Sequence, residues 1–388
     1  MKLFFWLAIY IIFYTYLGYG LLLYILLLFK RIFVNKKAIN FFAYTPSVTV
    51  VVAAFNEAYI IEDKINNTLR LAYPKDMIEY IFITDGSTDA TADIVGKYPI
   101  IKGMHQTVRN GKIAAVHRAM QVIRSEIVVF TDANTMVNED ALIKICRHYV
   151  DHSVGAVAGE KRVQIDCQSD ATAGEGFYWK YESKLKQWDA ELYSVVGAAG
   201  ELFSIRTSLY QPVKPDTILD DFMISMNIAL KGYRIVYEPA AFATENASAN
   251  TSEELKRKIR IAAGGIQSTL RLWPLFLPFK NPILTFEFIS HRVLRWVVTP
   301  YLMIIVFLMS IILVNQNGVR SIYGLIFVGQ LFIYIAALFG LILEKKKLHT
   351  KLFFIPYYFC LMNYAVIAGM VRYFFTKQSV LWEKAKRK

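Results

Sequence analysis

Residues 48–57 read Val-Thr-Val-Val-Val-Ala-Ala-Phe-Asn-Glu, a run of β-branched and small apolar residues that ends in two polar ones. A run of this kind predicts a buried strand followed by a turn. Helical stretches and short apolar strands then alternate, with further strands predicted at residues 80–84 and 127–131. The alternation predicts an α/β fold in which helices cover both faces of a mostly parallel sheet.

Each of these three predicted strands ends in acidic or amide side chains. Glu57 follows the first strand, Asp85 the second, and Asp132 with Asn134 the third. Ligands of open α/β sheets gather at the carboxyl ends of the strands. We therefore expect these side chains to line one binding site.

The individual acidic turns have two interpretations each. Asp132 and Asn134 place two oxygen-bearing groups near one point, and hard oxygen ligands suit Mg²⁺ or Mn²⁺. The same short motif also ends many strands as a simple turn. Asp85, likewise, is either a turn residue or an acceptor of hydrogen bonds from a nucleoside.

Further candidate residues lie on predicted helices. Asp220 and Asp221 precede an apolar helical stretch, where they either complement the helix dipole or supply a general base. Lys112 and Arg260 are candidates for neutralising phosphate, although basic side chains on helices are often simply solvated. Trp179 lies in an aromatic stretch that either stacks on a sugar ring or packs in the core.

Long apolar segments lie at both ends of the chain, which is 388 residues long and 55% hydrophobic. Residues 3–29 carry no charge and are long enough to cross a bilayer, which predicts a retained N-terminal anchor. Three more apolar runs follow residue 295. The predicted organisation is an anchor (1–35), a catalytic domain (46–250), a basic and amphipathic interfacial segment (251–295), and C-terminal membrane helices with a basic tail (296–388).

The net charge of +13 is concentrated beside the apolar segments. Attraction to anionic lipid headgroups accounts for these cations, so we expect contact with membrane lipids and no nucleic-acid partner. Basic clusters favour the cytoplasmic side of a membrane, which places the middle domain in the cytoplasm. The three cysteines are widely spaced and indicate neither a disulfide framework nor a CxxC metal site.

Taken in order, the motifs resemble those of membrane-bound family 2 glycosyltransferases, the group that includes cellulose, hyaluronan and poly-N-acetylglucosamine synthases. The resemblance covers about residues 47–273 and includes the flanking apolar segments. It is carried by four segments: Val51-Val52-Ala53-Ala54-Phe55-Asn56-Glu57, Asp85-Gly86-Ser87, Asp132-Ala133-Asn134 and Asp220-Asp221.

The resemblance implies a GT-A fold, a Rossmann-like nucleotide-sugar domain, together with a UDP-sugar donor and a divalent metal, Mg²⁺ or Mn²⁺. It implies an inverting transfer to a lipid-linked or glycan acceptor at a bacterial inner (plasma) membrane. Implied roles are nucleotide binding by Glu57, Asp85, Lys112, Asp132 and Arg260; metal binding by Asp132 and Asn134; catalysis by Asp221 with Asp220; and acceptor binding by Gly200, Glu201 and Trp179.

Two departures from the family pattern bear on the product. Asn134 stands where a second Asp is usual, so this position contributes less charge to a metal. The Gln-x-x-Arg-Trp motif of the processive polymerases keeps only its Arg, at Arg260, which favours a single-addition enzyme. A processive synthase that translocates its polymer remains the alternative among enzymes. A nucleotide-binding membrane transporter or receptor is the alternative from another class.

Overall fold

The structure is a computed structural model that describes residues 1–33, 44–164, 171–246, 251–346 and 351–376, with the side chains of 164, 171–179 and 351 left aside. The strands, in chain order, are β1 Val48–Ala54, β2 Ile78–Asp85, β3 Lys102–Gln106, β4 Ile127–Asp132, β5 Thr135–Val137, β6 Val154–Gln164, β7 Leu202–Arg206 and β8 Arg234–Asn246.

Eleven helices of more than four residues are described here. They are α1 Lys2–Phe33, α2 Ile61–Leu69, α3 Thr91–Gly96, α4 Lys112–Met120, α5 Ala141–Cys146, α6 Ala171–Leu192, α7 Asp220–Leu230, α8 Thr251–Arg271, α9 Pro282–Asn317, α10 Ile322–Lys345 and α11 Lys351–Phe375. Short π-helical stretches interrupt α1 at Tyr14–Gly18 and α9 at Ile289–Val298.

The sheet confirms the α/β prediction, but it is mixed in direction. Its eight strands lie in the order β3-β2-β1-β4-β7-β6-β8-β5. The first four in this order are parallel, as the alternation of strands and helices predicted, whereas β7 is antiparallel to both its neighbours. Strand β7 begins at the carboxyl end of β4, where Leu202 lies opposite Thr131. It therefore runs back along β4 in the opposite direction.

Two apolar layers, one on each face of the sheet, hold the domain together. Val51 packs into the layer that contains Ala115 and Ala119 of α4. Val50 and Val52 point the other way, as alternate residues of a strand must, and pack with α2 and α5. Full burial of each such aliphatic side chain stabilises the fold by about 1.5–3 kcal/mol.

Four helices are long and apolar enough to cross a membrane: Lys2–Phe33, Pro282–Asn317, Ile322–Lys345 and Leu352–Phe375. The first of the three predicted C-terminal apolar helices starts earlier than expected, because α9 begins at Pro282 and continues in helical form through the predicted boundary at 295. Helix α1 packs against α9 through Phe5 and Val306. It also packs against α6 through Tyr19 and Leu185, so the membrane helices and the sheet domain share contacts.

Candidate active site

The carboxyl ends of the parallel strands bring the predicted acidic residues to one edge of the sheet. Ala53 of β1 lies opposite Asp132 of β4, and Ala54 lies opposite Thr84, the neighbour of Asp85. Adjacent strands are about 4.8 Å apart. The strand register therefore places Asp85 and Asp132 on either side of the end of β1.

Asp85 fixes the loop that precedes α4. Its Oδ2 accepts hydrogen bonds from the backbone N–H groups of Asn110 and Gly111, at 3.0 and 2.6 Å. Gly111 has a φ of 93°, a left-handed conformation that a glycine adopts without strain. Helix α4 begins at the next residue, so Asp85 orients the start of the helix that carries Lys112.

Lys112 reaches from α4 to the end of β4. Its Nζ lies 2.7 Å from Oδ1 of Asp132. Burial works against its charge, but the carboxylates of Asp132, Asp220 and Asp221 outweigh burial and raise the pKa of Lys112 above its ordinary value. The ammonium group is therefore a fixed positive charge among three carboxylates.

Asp221, at the start of α7, lies near the same point. A Cβ atom added at Gly200 would lie 3.1 Å from Oδ2 of Asp221 and 3.3 Å from Nζ of Lys112. Burial, and then the charge of Asp220, raise the pKa of Asp221 to about 7. A carboxyl group with such a pKa can accept a proton near neutral pH.

The loop that contains Gly200 is held against α7. The backbone N–H of Ala198 donates to Oγ of Ser225 at 2.9 Å. Gly197, with a φ of 84°, lies directly against the ring of Phe222, where a Cβ would come within 2.1 Å of a ring carbon. These contacts hold the loop against α7, beside Asp221.

Arg260, on α8, completes the charged cluster. Burial lowers the pKa of its guanidinium, while the charges of Asp220, Asp221 and Asp132 oppose that effect. Arg260 thus lies within electrostatic reach of all three carboxylates. These five residues are the candidate reaction centre, and we call them the catalytic cluster: Lys112, Asp132, Asp220, Asp221 and Arg260.

The other predicted site residues lie around this cluster. Glu57 is buried after β1, and its backbone N–H donates to Oγ1 of Thr91 at 2.9 Å. Asn134 lies in the two-residue turn between β4 and β5. The backbone of Trp179 lies in α6, but its side chain is outside the described part of the chain, so its proposed acceptor contact stays a prediction.

Glu201 is held by an internal ion pair. Its Oε1 lies 2.5 Å from Nζ of Lys161, which also pairs with Glu245. Burial alone would raise the pKa of Glu201, but the charge of Lys161 holds it well below its ordinary value. Its carboxylate is therefore ionised and directed toward Lys161. Of the two predicted acceptor residues Gly200 and Glu201, it is Gly200 that lies against Asp221.

The carboxylates fit a divalent cation that is shared with a ligand. In the described residues no three His, Cys, Asp or Glu side chains form a ligand set of their own. Mg²⁺ and its relatives bind through one or two carboxylates plus phosphate oxygens of a substrate. Asp132 offers such a carboxylate at a strand end, and Asn134 offers an amide oxygen two residues later.

Residues 49–213 match the family model "Glycosyl transferase family 2". The chain is 30% identical over 241 residues to the poly-beta-1,6-N-acetyl-D-glucosamine synthase of Staphylococcus aureus (strain COL), which covers 58% of this chain and 56% of the relative. The synthase of the same name from Staphylococcus epidermidis is 28% identical over 280 residues, covering 68% of this chain and 66% of the relative. The chain therefore carries a family 2 glycosyltransferase domain at residues 49–213. This domain places the chain among enzymes rather than transporters or receptors.

A solved structure shares the fold of the glycosyltransferase along nearly its whole length. The mannosyltransferase of Pyrobaculum calidifontis, solved in complex with GDP-Man and Mn²⁺, superposes with a TM-score of 0.71. The two chains are 23% identical, and the match covers 96% of this chain and 99% of the other. The predicted GT-A fold is confirmed. This chain spans 56% of the length of the Staphylococcus aureus synthase that it matches.

Two buried residues of this glycosyltransferase site escaped the sequence analysis. Lys161 was missed because nothing near it in the chain marks its pairing with Glu201 and Glu245. Lys64 left a signal that could have been found. It occupies a position in the apolar stripe of α2 that includes Ile61, Ile65 and Thr68, where a cation is out of place.

Proposed function

We propose that this glycosyltransferase moves a sugar from a UDP-sugar to a lipid-linked or glycan acceptor by a single, inverting displacement. The observation that carries the proposal is the convergence of Asp132, Lys112 and Asp221 around Gly200. A donor diphosphate needs positive charge at its leaving oxygen, and an acceptor hydroxyl needs a base. The catalytic cluster supplies both beside one small residue, Gly200.

Asp221 is the proposed base. It takes the proton of the acceptor hydroxyl as the oxygen attacks the anomeric carbon, on the face opposite the leaving diphosphate. Its pKa of about 7 suits this role, because a base is most effective when its pKa lies near the working pH. Asp220 supports the role by raising that pKa through its own charge.

Lys112 and Arg260 are the proposed partners of the developing diphosphate charge. Lys112 is held by its ion pair with Asp132 before substrate arrives, and Arg260 lies within the field of the same carboxylates, so little reorganisation accompanies the reaction. Asp132 and Asn134 would hold a divalent cation, Mg²⁺ or Mn²⁺, together with oxygens of the diphosphate. Such a cation supplies Lewis-acid stabilisation of the leaving group. Glu57 and Asp85 are proposed to face the nucleoside.

The surroundings of the cluster suggest a membrane-bound acceptor. Helix α6 packs on the membrane helix α1, and Nζ of Lys30 donates to the backbone oxygens of Glu191 and Leu192 at the end of α6. Lys30 and Arg31 follow the apolar part of α1, which favours a cytoplasmic catalytic domain under the positive-inside bias. We propose the inner (plasma) membrane of a bacterium as the location.

Asp221→Asn tests the proposal. We expect transfer to fall by roughly 10²–10⁴-fold, because the variant lacks the base. UDP affinity should change little, since the amide keeps the shape of the carboxylate. The measurement is sugar incorporation by membranes that contain the full chain, after a donor screen with UDP-, GDP- and dTDP-sugars, beside UDP binding to purified protein. Residual transfer above a tenth of the wild-type rate would remove Asp221 from the mechanism.

A processive polysaccharide synthase is the second candidate, favoured by the similarity to the staphylococcal poly-beta-1,6-N-acetyl-D-glucosamine synthases. The loss of Gln and Trp from the polymerase motif around Arg260 argues for single addition. Product length separates the two: a purified single-addition enzyme yields acceptor with one added sugar, whereas a synthase yields a long polymer.

A further inference from the structure

Lys64 is a fully buried cation behind the catalytic cluster. It lies on α2, and its exposed fraction is 0%, in a layer with Ile61 and Ile65. Burial lowers the pKa of Lys64 to about 7, against the opposing charge of Asp132. A buried ammonium group without an ion-pair partner is costly, and an apolar residue of similar length would fill the same space at lower cost.

Both hydrogen bonds of Lys64 go to the turn that carries Asp132 and Asn134. Nζ donates to Oγ1 of Thr131 at 2.9 Å and to the backbone oxygen of Thr135 at 2.7 Å. These two residues bracket the turn on either side. Within the described part of the chain, no carboxylate forms an ion pair with Lys64, so its contacts are directed at the turn itself.

The same contacts extend to the acceptor side of the cleft. Oγ1 of Thr131 donates to the backbone oxygen of Glu201 at 2.9 Å, and Oγ1 of Thr135 donates to the backbone oxygen of Asp132 at 3.0 Å. Thr131 and Thr135 are almost fully buried, at 5% and 0% exposed. One ammonium group thus joins the turn of Asp132 to the loop in which Gly200 precedes Glu201.

We propose that Lys64 is a positioning residue that sets the distance between the diphosphate side of the cleft, at Asp132, and the acceptor side, at Gly200. Lys64 does not touch substrate in this scheme. It acts through Thr131, and the inference rests on the proposed function of the catalytic cluster. In this scheme the protein tolerates the cost of burying Lys64 because the side of the cleft at Asp132 and the side at Gly200 must be held at a fixed distance.

The expected consequence of losing Lys64 is a change in what attacks the donor. When the acceptor loop shifts from Asp132, the acceptor hydroxyl loses its alignment, whereas water still reaches the anomeric carbon. Small misplacements of reacting groups cost roughly 10²-fold in rate. Donor hydrolysis should therefore rise relative to transfer, which is a change that simple loss of folded protein does not produce.

The experiment compares Lys64→Met, Thr131→Val and the control Ile65→Ala in membranes that contain the full chain. Each is given UDP-N-acetyl[¹⁴C]glucosamine, or the sugar nucleotide that wild type uses best in the donor screen. Free labelled sugar measures hydrolysis, and label in lipid or polymer measures transfer. The Tm of each purified variant is recorded in the same detergent.

We expect Lys64→Met to raise the ratio of hydrolysis to transfer at least about tenfold, with its Tm equal to or above that of wild type. Thr131→Val removes the hydroxyl that joins Lys64 to Glu201, and it should raise the ratio in the same direction by a smaller factor. Ile65→Ala leaves a cavity in the same helix and should lower Tm while leaving the ratio at the wild-type value.

Two results would overturn the inference. One is an unchanged ratio in both Lys64→Met and Thr131→Val; the other is an equal rise in Ile65→Ala, which would reduce Lys64 to a packing role. If Lys64→Met does not fold, the Thr131→Val ratio alone decides. Failure of the proposed function looks different, because wild type would then transfer none of the screened sugars, or Asp221→Asn would transfer as well as wild type.

Discussion

Two clusters of charge in this protein contain similar residues and behave differently. The first is the catalytic cluster. The second, which we call the interface network, joins α6 to the membrane helices α1 and α9. It consists of Tyr19, Glu182, Asp189, His291, Arg292 and Arg295. Both are largely buried, and both bring together side chains from distant parts of the chain.

In the interface network the carboxylate oxygens have partners. The Oε1 atom of Glu182 accepts a hydrogen bond from Arg292 at 3.0 Å, and its Oε2 atom accepts one from Arg295 at 2.6 Å. His291 is fully buried and lies 2.5 Å from Asp189 and 3.1 Å from Glu182. Buried ion pairs of this kind hold elements in one arrangement, because removing either partner leaves a charge without compensation.

In the catalytic cluster, negative charge is concentrated around Lys112. Asp132 pairs with Lys112. Burial, and then the charge of the adjacent Asp220, raise the pKa of Asp221 to about 7. The comparison teaches that buried charge by itself does not mark a reactive site. What distinguishes the cluster to which we assign the chemistry is an excess of carboxylates together with a buried carboxyl group whose pKa lies near neutral pH.

Glu182→Leu tests the structural side of this comparison and should have the largest effect on stability. It leaves Arg292 and Arg295 buried without their carboxylate, at a cost of about 3–5 kcal/mol in the free energy of unfolding. The measurement is thermal or denaturant unfolding of the full chain in detergent.

The matched control is Arg31→Ala, which breaks the exposed pair of Arg31 with Glu191 between α1 and α6, at 2.7 Å. An exposed pair of this kind contributes little to stability, because water and salt screen the charges and two long side chains must be ordered to form it. If Glu182→Leu cost no more than Arg31→Ala, the interface network would not be a structural element.

Gly200→Ala tests the catalytic side. The added methyl group would lie 3.1 Å from Asp221 and 3.3 Å from Lys112, so one of them must move. Gly200 is not among the glycines with positive φ, and alanine therefore tests space alone. We expect the rate of transfer to fall by roughly 10–100-fold, with UDP affinity within about a factor of three.

Gly96→Ala is the control for this substitution, because a Cβ there meets nothing within 4 Å. It lies in the last turn of α3, the helix between β2 and β3, and neither strand carries a residue of the catalytic cluster. Equal rates for Gly200→Ala and wild type would contradict the close approach of Asp221 and Lys112.

A change of pH close to neutrality should alter the rate of transfer less than the substitutions described above. Asp221 accepts a proton only when it is ionised, so kcat/KM should rise with pH and level off above about 7. One pH unit below that value the rate should be about tenfold lower. A profile flat from pH 5 to 8 would argue against Asp221 as the base.

The same raised pKa makes a prediction for stability, with the sign fixed by linkage. The ordinary value for Asp221 is 3.8 and the folded value about 7, so between them the unfolded chain has lost the proton that the folded chain keeps. The contribution of Asp221 to stability therefore falls as pH rises through this range. Asp221→Asn should remove that slope and raise Tm at neutral pH.

The candidate site was predicted in part because its acidic residues end strands. The alternation of strands and helices already predicts parallel strands, and the registers of β1 with β2 and with β4 place Asp85 and Asp132 at one edge of the sheet. The pairings were not predictable in the same way. Lys112 and Asp132 are 20 residues apart, and His291 and Asp189 are 102 residues apart, separations over which a single sequence carries no distance information.

The sequence by itself determined the class of the protein: an α/β domain with acidic strand ends, between helices long and apolar enough to cross a membrane. Those properties follow from apolar periodicity and segment length, which each stretch of chain carries alone. The tertiary structure decided which carboxylate faces which cation. It separated Glu201, held by Lys161, from Asp221, whose ionisation is opposed by burial and by Asp220. Burial and distance between elements set the charge state of a side chain, and both exist only after the elements have packed.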